Sequence, residues 1–189
     1  ETYVKYVVPT EISALASPTE QLKAMAIAAR TYAWYKINTS TQTWDVSDWT
    51  ETQAMCENKE HALSNAAVNA TAGQYLFHPT KGVIIAMYGA ESGTPTTANI
   101  FLSSYPYLDA VDDPVSFGIA VNGHGMGFSQ NGSRRWASLY GWDYVSILTH
   151  YYSGVTVEGV TNFGALIWPW NRFALNEDRL RIEAKTRAK

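Results

Sequence analysis

Ser17-Pro18-Thr19-Glu20-Gln21-Leu22-Lys23-Ala24-Met25-Ala26-Ile27-Ala28-Ala29-Arg30-Thr31-Tyr32-Ala33-Trp34-Tyr35-Lys36-Ile37 reads as one long helix. Ser17 can cap it, Pro18 fits the first turn, and Glu20 completes a capping box. Leu22, Met25, Ala26, Ala29 and Ala33 recur at helical spacing and make a narrow stripe of small residues. Such a stripe lets a neighbour approach closely, so this helix is expected at the centre of the fold. Arg30 lies at the border of the stripe. A guanidinium there either snorkels to solvent or is held inward against a carboxylate or a substrate.

On the N-terminal side, Thr2 to Val8 is β-branched and aromatic and predicts a strand, ended by Pro9, which cannot donate to a ladder. Glu11 follows, flanked by Val8, Pro9 and Ile12. A carboxylate in such company is either a solvated loop residue or a desolvated group with a raised pKa.

On the C-terminal side, residues 38–60 are polar and loop-like, and Asp45 and Asp48 lack the spacing and the glycine of a calcium loop. Residues 59–72 predict a helix with Leu63, Ala66, Ala67 and Ala70 inward and Gly73 as its cap. Gln74 to Phe77 and Gly82 to Tyr88 predict a hairpin whose Val83-Ile84-Ile85-Ala86 run is a buried strand. Small residues follow, from Gly89 to Thr96. Val115 to Val121 predicts another strand, Gln130 to Tyr140 a helix interrupted by Gly132, Asp143 to Tyr152 a capped helix, and Val155 to Val160 a short strand. From Asn176 the chain is charged with little to bury, so its last dozen residues are expected as a solvated or frayed helix.

These elements predict a single compact α+β domain over residues 1–160, a mixed and mainly antiparallel sheet around a central packed helix. Residues 161–189 form a partly solvated C-terminal extension. At 189 residues the chain is long enough for a real core. A net charge of −3 argues against a nucleic-acid partner, which calls for a basic face. No apolar run approaches the length of a membrane span, and no signal-like segment follows Glu1, so an export signal or anchor is expected outside this sequence if there is one. Cys56, the single cysteine, excludes an intramolecular disulfide and a cysteine zinc cage.

Gly123-His124-Gly125-Met126-Gly127-Phe128-Ser129-Gln130 alternates glycine with a histidine and a methionine. Missing Cβ atoms let another backbone or a ligand come close, so the stretch is either a tight turn or one wall of a site.

Taken together, the blocks Tyr3-Val4-Lys5, Val7-Val8-Pro9-Thr10-Glu11, Ala26-Ile27-Ala28-Ala29-Arg30-Thr31-Tyr32-Ala33, Thr71-Ala72-Gly73-Gln74, Tyr88 to Gly93, Tyr105-Pro106-Tyr107-Leu108, the histidine–glycine stretch and Ile147-Leu148 with Tyr151-Tyr152 resemble, in order, the SpoIID family, stage II sporulation protein D and its LytB-like relatives. The resemblance spans about residues 1–156. It implies a bacterial, extracytoplasmic protein, secreted or membrane-anchored, acting on peptidoglycan. Sporulation members of the family are lytic transglycosylases that cut glycan strands stripped of stem peptides.

By the same resemblance Glu11 is the catalytic glutamate. A single carboxyl suffices where the sugar's own 6-hydroxyl attacks C1 and leaves a 1,6-anhydro-N-acetylmuramyl end, whereas ordinary glycosidases need two. Such an acid must start protonated. His124, Gln130, Ser92 and Tyr88 are expected to line the groove as substrate-binding groups. Arg30 is a further candidate, although close to Glu11 it would oppose the acid role. His124 is read as an orienting group and not as a metal ligand, and its glycines as room for a sugar chain.

The chain departs from the family's pattern twice. Residues 45–53 lack the Cys and His that hold zinc in sporulation members, so no metal and no cofactor is expected. The serine-rich block reads Tyr88-Gly89-Ala90-Glu91-Ser92-Gly93-Thr94, placing a second carboxylate, Glu91, near the groove; the preferred expectation is that it faces solvent. Two alternatives to the enzyme are a non-catalytic, LytB-like amidase enhancer with a hydrolase partner, and a glycan-binding module using Trp34, Trp44, Trp49 and Trp136.

Overall fold

The computed structural model describes residues 1–47, 52–101, 103–159 and 182–183. In chain order the elements are α1 (Thr2–Glu11), α2 (Thr19–Thr39), β1 (Val46–Ser47), α3 (Ala62–Ala70), β2 (Gln74–His78), β3 (Gly82–Val83), β4 (Tyr88–Gly89), β5 (Phe128–Ser129), α4 (Gln130–Tyr140), α5 (Tyr144–Tyr151), β6 (Thr156–Gly159) and β7 (Ile182–Glu183). Short 3-10 turns occupy Pro106–Leu108 and Pro114–Ser116.

Central placement of α2 is as expected, but its burial goes well beyond a stripe. From Gln21 to Ala33 every residue except Lys23 is buried, because alanines at 24, 26, 28, 29 and 33 let neighbours approach from several sides. Around it pack α1, α3, α4, α5 and β2. Thr31 joins two layers: its hydroxyl donates to Ile27 O at 2.7 Å and accepts from Leu76 N of β2 at 3.0 Å. The capping box does not form. Pro18 sits at the cap without a side-chain bond. Glu20 instead pairs with Lys23 at 2.7 Å and accepts from Tyr144 N at 3.1 Å, at the positive end of α5.

The largest correction concerns residues 2–8, which are helical. Tyr3, Val4, Val7 and Val8 are the buried face of α1, and their 3–4 spacing suits a helix packed on a core. Their β-branched character is a weaker constraint than that burial. Pro9 is tolerated because it falls in the last turn, where Ile12 N still closes on Val8 O at 3.0 Å.

The fold is α+β, and among the described residues its strands form three separate sheets where one mixed sheet was expected: the largest, β3-β2-β6, is antiparallel, with Leu76 opposite Val157 and Phe77 opposite Val83. β4 pairs in parallel with β5, Tyr88 opposite Phe128, and β1 with β7. Ile84 and Ala86 are buried, but residues 84–87 leave the ladder, since Ile85 N donates to the Tyr107 hydroxyl at 3.1 Å and Met87 N folds back onto Ile85 O. Residues 115–121 are not a strand either. They turn at Pro114–Ser116 and carry Phe117 out to solvent, 84% exposed.

In α3 the inward face is Ser64, Ala67 and Val68, while Leu63 is half exposed and Ala66 and Ala70 face out. Its cap is Thr71, not Gly73. Ser129 caps α4 by accepting from Gly132 N at 3.1 Å. Gly132 does not interrupt α4, because a Cβ there would meet the Tyr151 hydroxyl and the Asp113 carboxylate. Ile182–Glu183 are strand, where a frayed helix was expected. Asp48, Trp49, Val160 and the aromatic run at 167–170 lie outside the described residues.

Candidate active site

Glu11 is the last residue of α1, half buried, with its carboxyl turned toward three donors from distant parts of the chain. Ala54 N donates to Oε1 at 2.6 Å and the Tyr88 hydroxyl to the same oxygen at 3.3 Å. Gln130 Nε2 donates to Oε2 at 3.0 Å. Burial raises the Glu11 pKa above its ordinary value and outweighs the opposing bonds from Ala54, Gln130 and Tyr88. The side chain is thereby poised toward the protonated form that a general acid needs.

Two of the donors are themselves anchored. Gln130 opens α4 beside the Ser129 cap, and its carbonyl accepts from Gln21 Nε2 of α2 at 2.6 Å. Tyr88 sits edge-on to Tyr32 and receives Gln53 Nε2 at 3.0 Å. Burial, then the nearby Glu11 charge, push the Tyr88 hydroxyl pKa far up, so it stays a neutral donor. Gln53 and Ala54 were not singled out in the sequence. They lie in a polar stretch without periodicity, and only the folded chain brings them to Glu11.

Of the expected site residues, the structure gathers Glu11, Tyr88 and Gln130. His124 is solvent-exposed beside them: its Nδ1 accepts from Met126 N at 3.0 Å and its ring faces the Tyr88 carbonyl. Partial desolvation of the ring pushes its pKa down, against the opposing pull of the Tyr88 carbonyl, which favours the neutral imidazole. The flanking glycines serve the protein's own packing more than an open sugar face. Gly125 (φ +74°) abuts Thr97 and Val121, and Gly127 (φ +65°) abuts the Met87 carbonyl and Tyr152.

Three expectations are corrected. Arg30 is buried and turned away from Glu11: it pairs with Glu1 at 2.7 and 2.9 Å and donates to Gln74 O at 3.0 Å. Ser92 is fully buried, its N–H donating to Ser129 Oγ at 3.3 Å, so it does not line a groove. Glu91 does not face solvent. It is 3% exposed and accepts from Arg135 and from Ser116 Oγ, each at 2.6 Å. Asp113 continues that network, accepting from Trp136 Nε1 at 2.7 Å and the Tyr151 hydroxyl at 2.9 Å, while Ser116 Oγ, 2.8 Å away, has one hydrogen to give either to Asp113 or to Glu91. A zinc ion of the kind the resemblance implies does not fit: residues 45–53 hold no Cys or His, and the Gln53 amide is fully engaged.

The family model described as stage II sporulation protein, SpoIID, matches residues 1–78, which contain Glu11, Gln53 and Ala54. Through that segment the chain is similar to the SpoIID family. Among curated relatives, an amidase enhancer of Bacillus subtilis is 36% identical over 112 residues, 58% of this chain and 15% of the relative. An uncharacterized protein of Brachyspira hyodysenteriae is 39% identical over 117 residues, 59% of this chain and 31% of the relative. The chain thus spans under a third of the length of either relative.

Proposed function

We propose that this chain is a peptidoglycan lytic transglycosylase with Glu11 as its general acid and base. The observation that carries the reading is the Glu11 carboxyl, pushed toward its protonated form by burial while three fixed donors hold its orientation. Protonated Glu11 would donate to the glycosidic oxygen between N-acetylmuramic acid and N-acetylglucosamine as that bond breaks. The resulting carboxylate would take the proton of the muramyl 6-hydroxyl as it attacks C1, closing the 1,6-anhydro ring. One carboxyl serves both steps. Glu91, the carboxylate nearest in sequence to Tyr88, is paired with Arg135 and is not needed as a second one. Gln130 and Tyr88 would orient the acid, and exposed His124 would bind the glycan.

A cell-wall role is supported by the family and by the amidase enhancer among the relatives. That relative's name also favours a second reading, in which the chain binds wall and stimulates an amidase without cutting glycan. Either reading places the protein outside the cytoplasm, and among the described residues no helix is long and apolar enough to cross a membrane. We further propose that residues 1–160 form the working domain and 161–189 an extension of it.

The deciding experiment is digestion of purified glycan strands, with and without stem peptides, followed by mass analysis of the new ends. The expected result is anhydro-muramyl ends that disappear in Glu11→Gln. Reducing ends would mean hydrolysis, and binding without cleavage would favour the amidase-enhancer reading.

A further inference from the structure

Behind the Glu11 donors lies a second tier of hydrogen bonds whose direction can be worked out from chemistry alone. Gln53 is fully buried between α1, α2 and β4. Its Nε2 lies 3.2 Å from the Ala29 carbonyl, which can only accept, so the amide cannot be turned round. Its Oε1 accepts the Tyr3 hydroxyl at 2.8 Å. The second hydrogen on Nε2 then points at the Tyr88 oxygen, 3.0 Å away. Tyr88 accepts there, so its single hydrogen is left for Glu11 Oε1. With Ala54 N on the same atom, both lone pairs of Oε1 are filled by donors. Among the described residues Oε2 meets only Gln130, which leaves one lone pair for a proton.

We infer that Gln53 is a positioning residue for the Glu11 acid: by fixing the direction of the Tyr88 hydrogen bond it reserves Oε2, the oxygen beside Gln130, as the one that carries the proton. The inference rests on the proposed role of Glu11 and deepens it. A proton on Oε1 would confront the Ala54 N–H and the tyrosine hydrogen; a proton on Oε2 leaves every bond in place. Among the described residues, the titratable groups that interact with Glu11 are Tyr3 of α1 and Tyr88 of β4, both with raised pKa and both neutral at ordinary pH.

The test reads Glu11 directly and needs no glycan: a carbon-13 NMR titration of the glutamate carboxyls in the full chain, with Glu11→Gln identifying the resonance. In Gln53→Leu the Tyr88 hydroxyl loses its donor and becomes free to accept from a protonated Glu11. The Glu11 titration is expected to move up by about one pKa unit. Tyr88→Phe is expected to move it the same way. Adding Gln53→Leu to Tyr88→Phe is expected to add less than about 0.3 unit, since the two act through one bond.

An unchanged titration in a natively folded Gln53→Leu overturns the inference, as does a full second shift on top of Tyr88→Phe. Should Gln53→Leu not fold, Tyr88→Phe decides alone, and the absence of an upward shift overturns the inference. Failure to find cleaved glycan, with these shifts intact, would count against the proposed reaction and not against the bond direction.

Discussion

At the scale of single residues, Glu11 shows how environment decides chemistry. Burial raises its pKa above the ordinary 4.5, so the unfolded chain ionises it more readily than the folded one does. The sign follows: the group's contribution to stability is full below the ordinary glutamate value and is lost as pH rises through the folded value. Glu11→Gln, which cannot ionise, is therefore expected to gain melting temperature relative to the parent as pH climbs from 4 to 8, checked by calorimetry at both ends. Under the proposed reaction, cleavage by the parent is expected to fall over the alkaline side of the same window, because the acid must hold its proton. Arg30 carries a different expectation. Arg30→Met leaves Glu1 without its cation and Gln74 O without a donor, so stability falls by about 2–4 kcal/mol in denaturant unfolding. The Glu11 carboxyl titration is expected to stay in place, since Arg30 bonds elsewhere.

At the scale of elements, the buried pair of Glu91 and Arg135 ties the loop after β4 to α4, and Ser129 and Ser116 complete it. Removing one partner leaves a charge stranded, so Arg135→Ala is expected to cost about 3–5 kcal/mol. Glu91→Gln combined with Arg135→Met is expected to recover at least half of that loss, as read from urea midpoints at equal slope. Gly132→Ala drives a methyl into Tyr151 and Asp113 and is expected to cost about 1–3 kcal/mol. What could be read in advance follows the same division. The central helix was legible because small residues and proline leave local marks, and the α5 cap because Asp143 bonds Ser146 N three residues on. The strand expected at 2–8 was misread because β-branched propensity masked the 3–4 spacing of Tyr3, Val4, Val7 and Val8. Glu91 was misread because its partner lies 44 positions away and no local pattern announces it. Glu11, Tyr88 and Gln130 were legible only through resemblance, and Gln53 not at all, since its three partners come from separate elements.

At the scale of the whole molecule, α2 is the common support on which the other helices bring their site residues together. Gln21, on its first turns, donates to the Gln130 carbonyl at the start of α4, which also accepts from Ser133 Oγ at 2.8 Å, so Gln21→Leu is expected to cost about 0.5–1.5 kcal/mol and, under the proposed reaction, to weaken glycan cleavage by loosening Gln130. Comparing the loss of activity with the loss of stability at a temperature where the variant remains folded checks it. The bond between Gln130 and Glu11 spans 119 positions. The segment matched by the family model supplies the acid, yet two of the groups that hold it come from beyond residue 78. A copy clipped before α4 keeps Glu11, Ala54 and Tyr88 but loses the Gln130 amide that meets the second carboxyl oxygen. Under the proposed reaction, then, completeness of the chain, and not possession of the acid residue, is what arms the site.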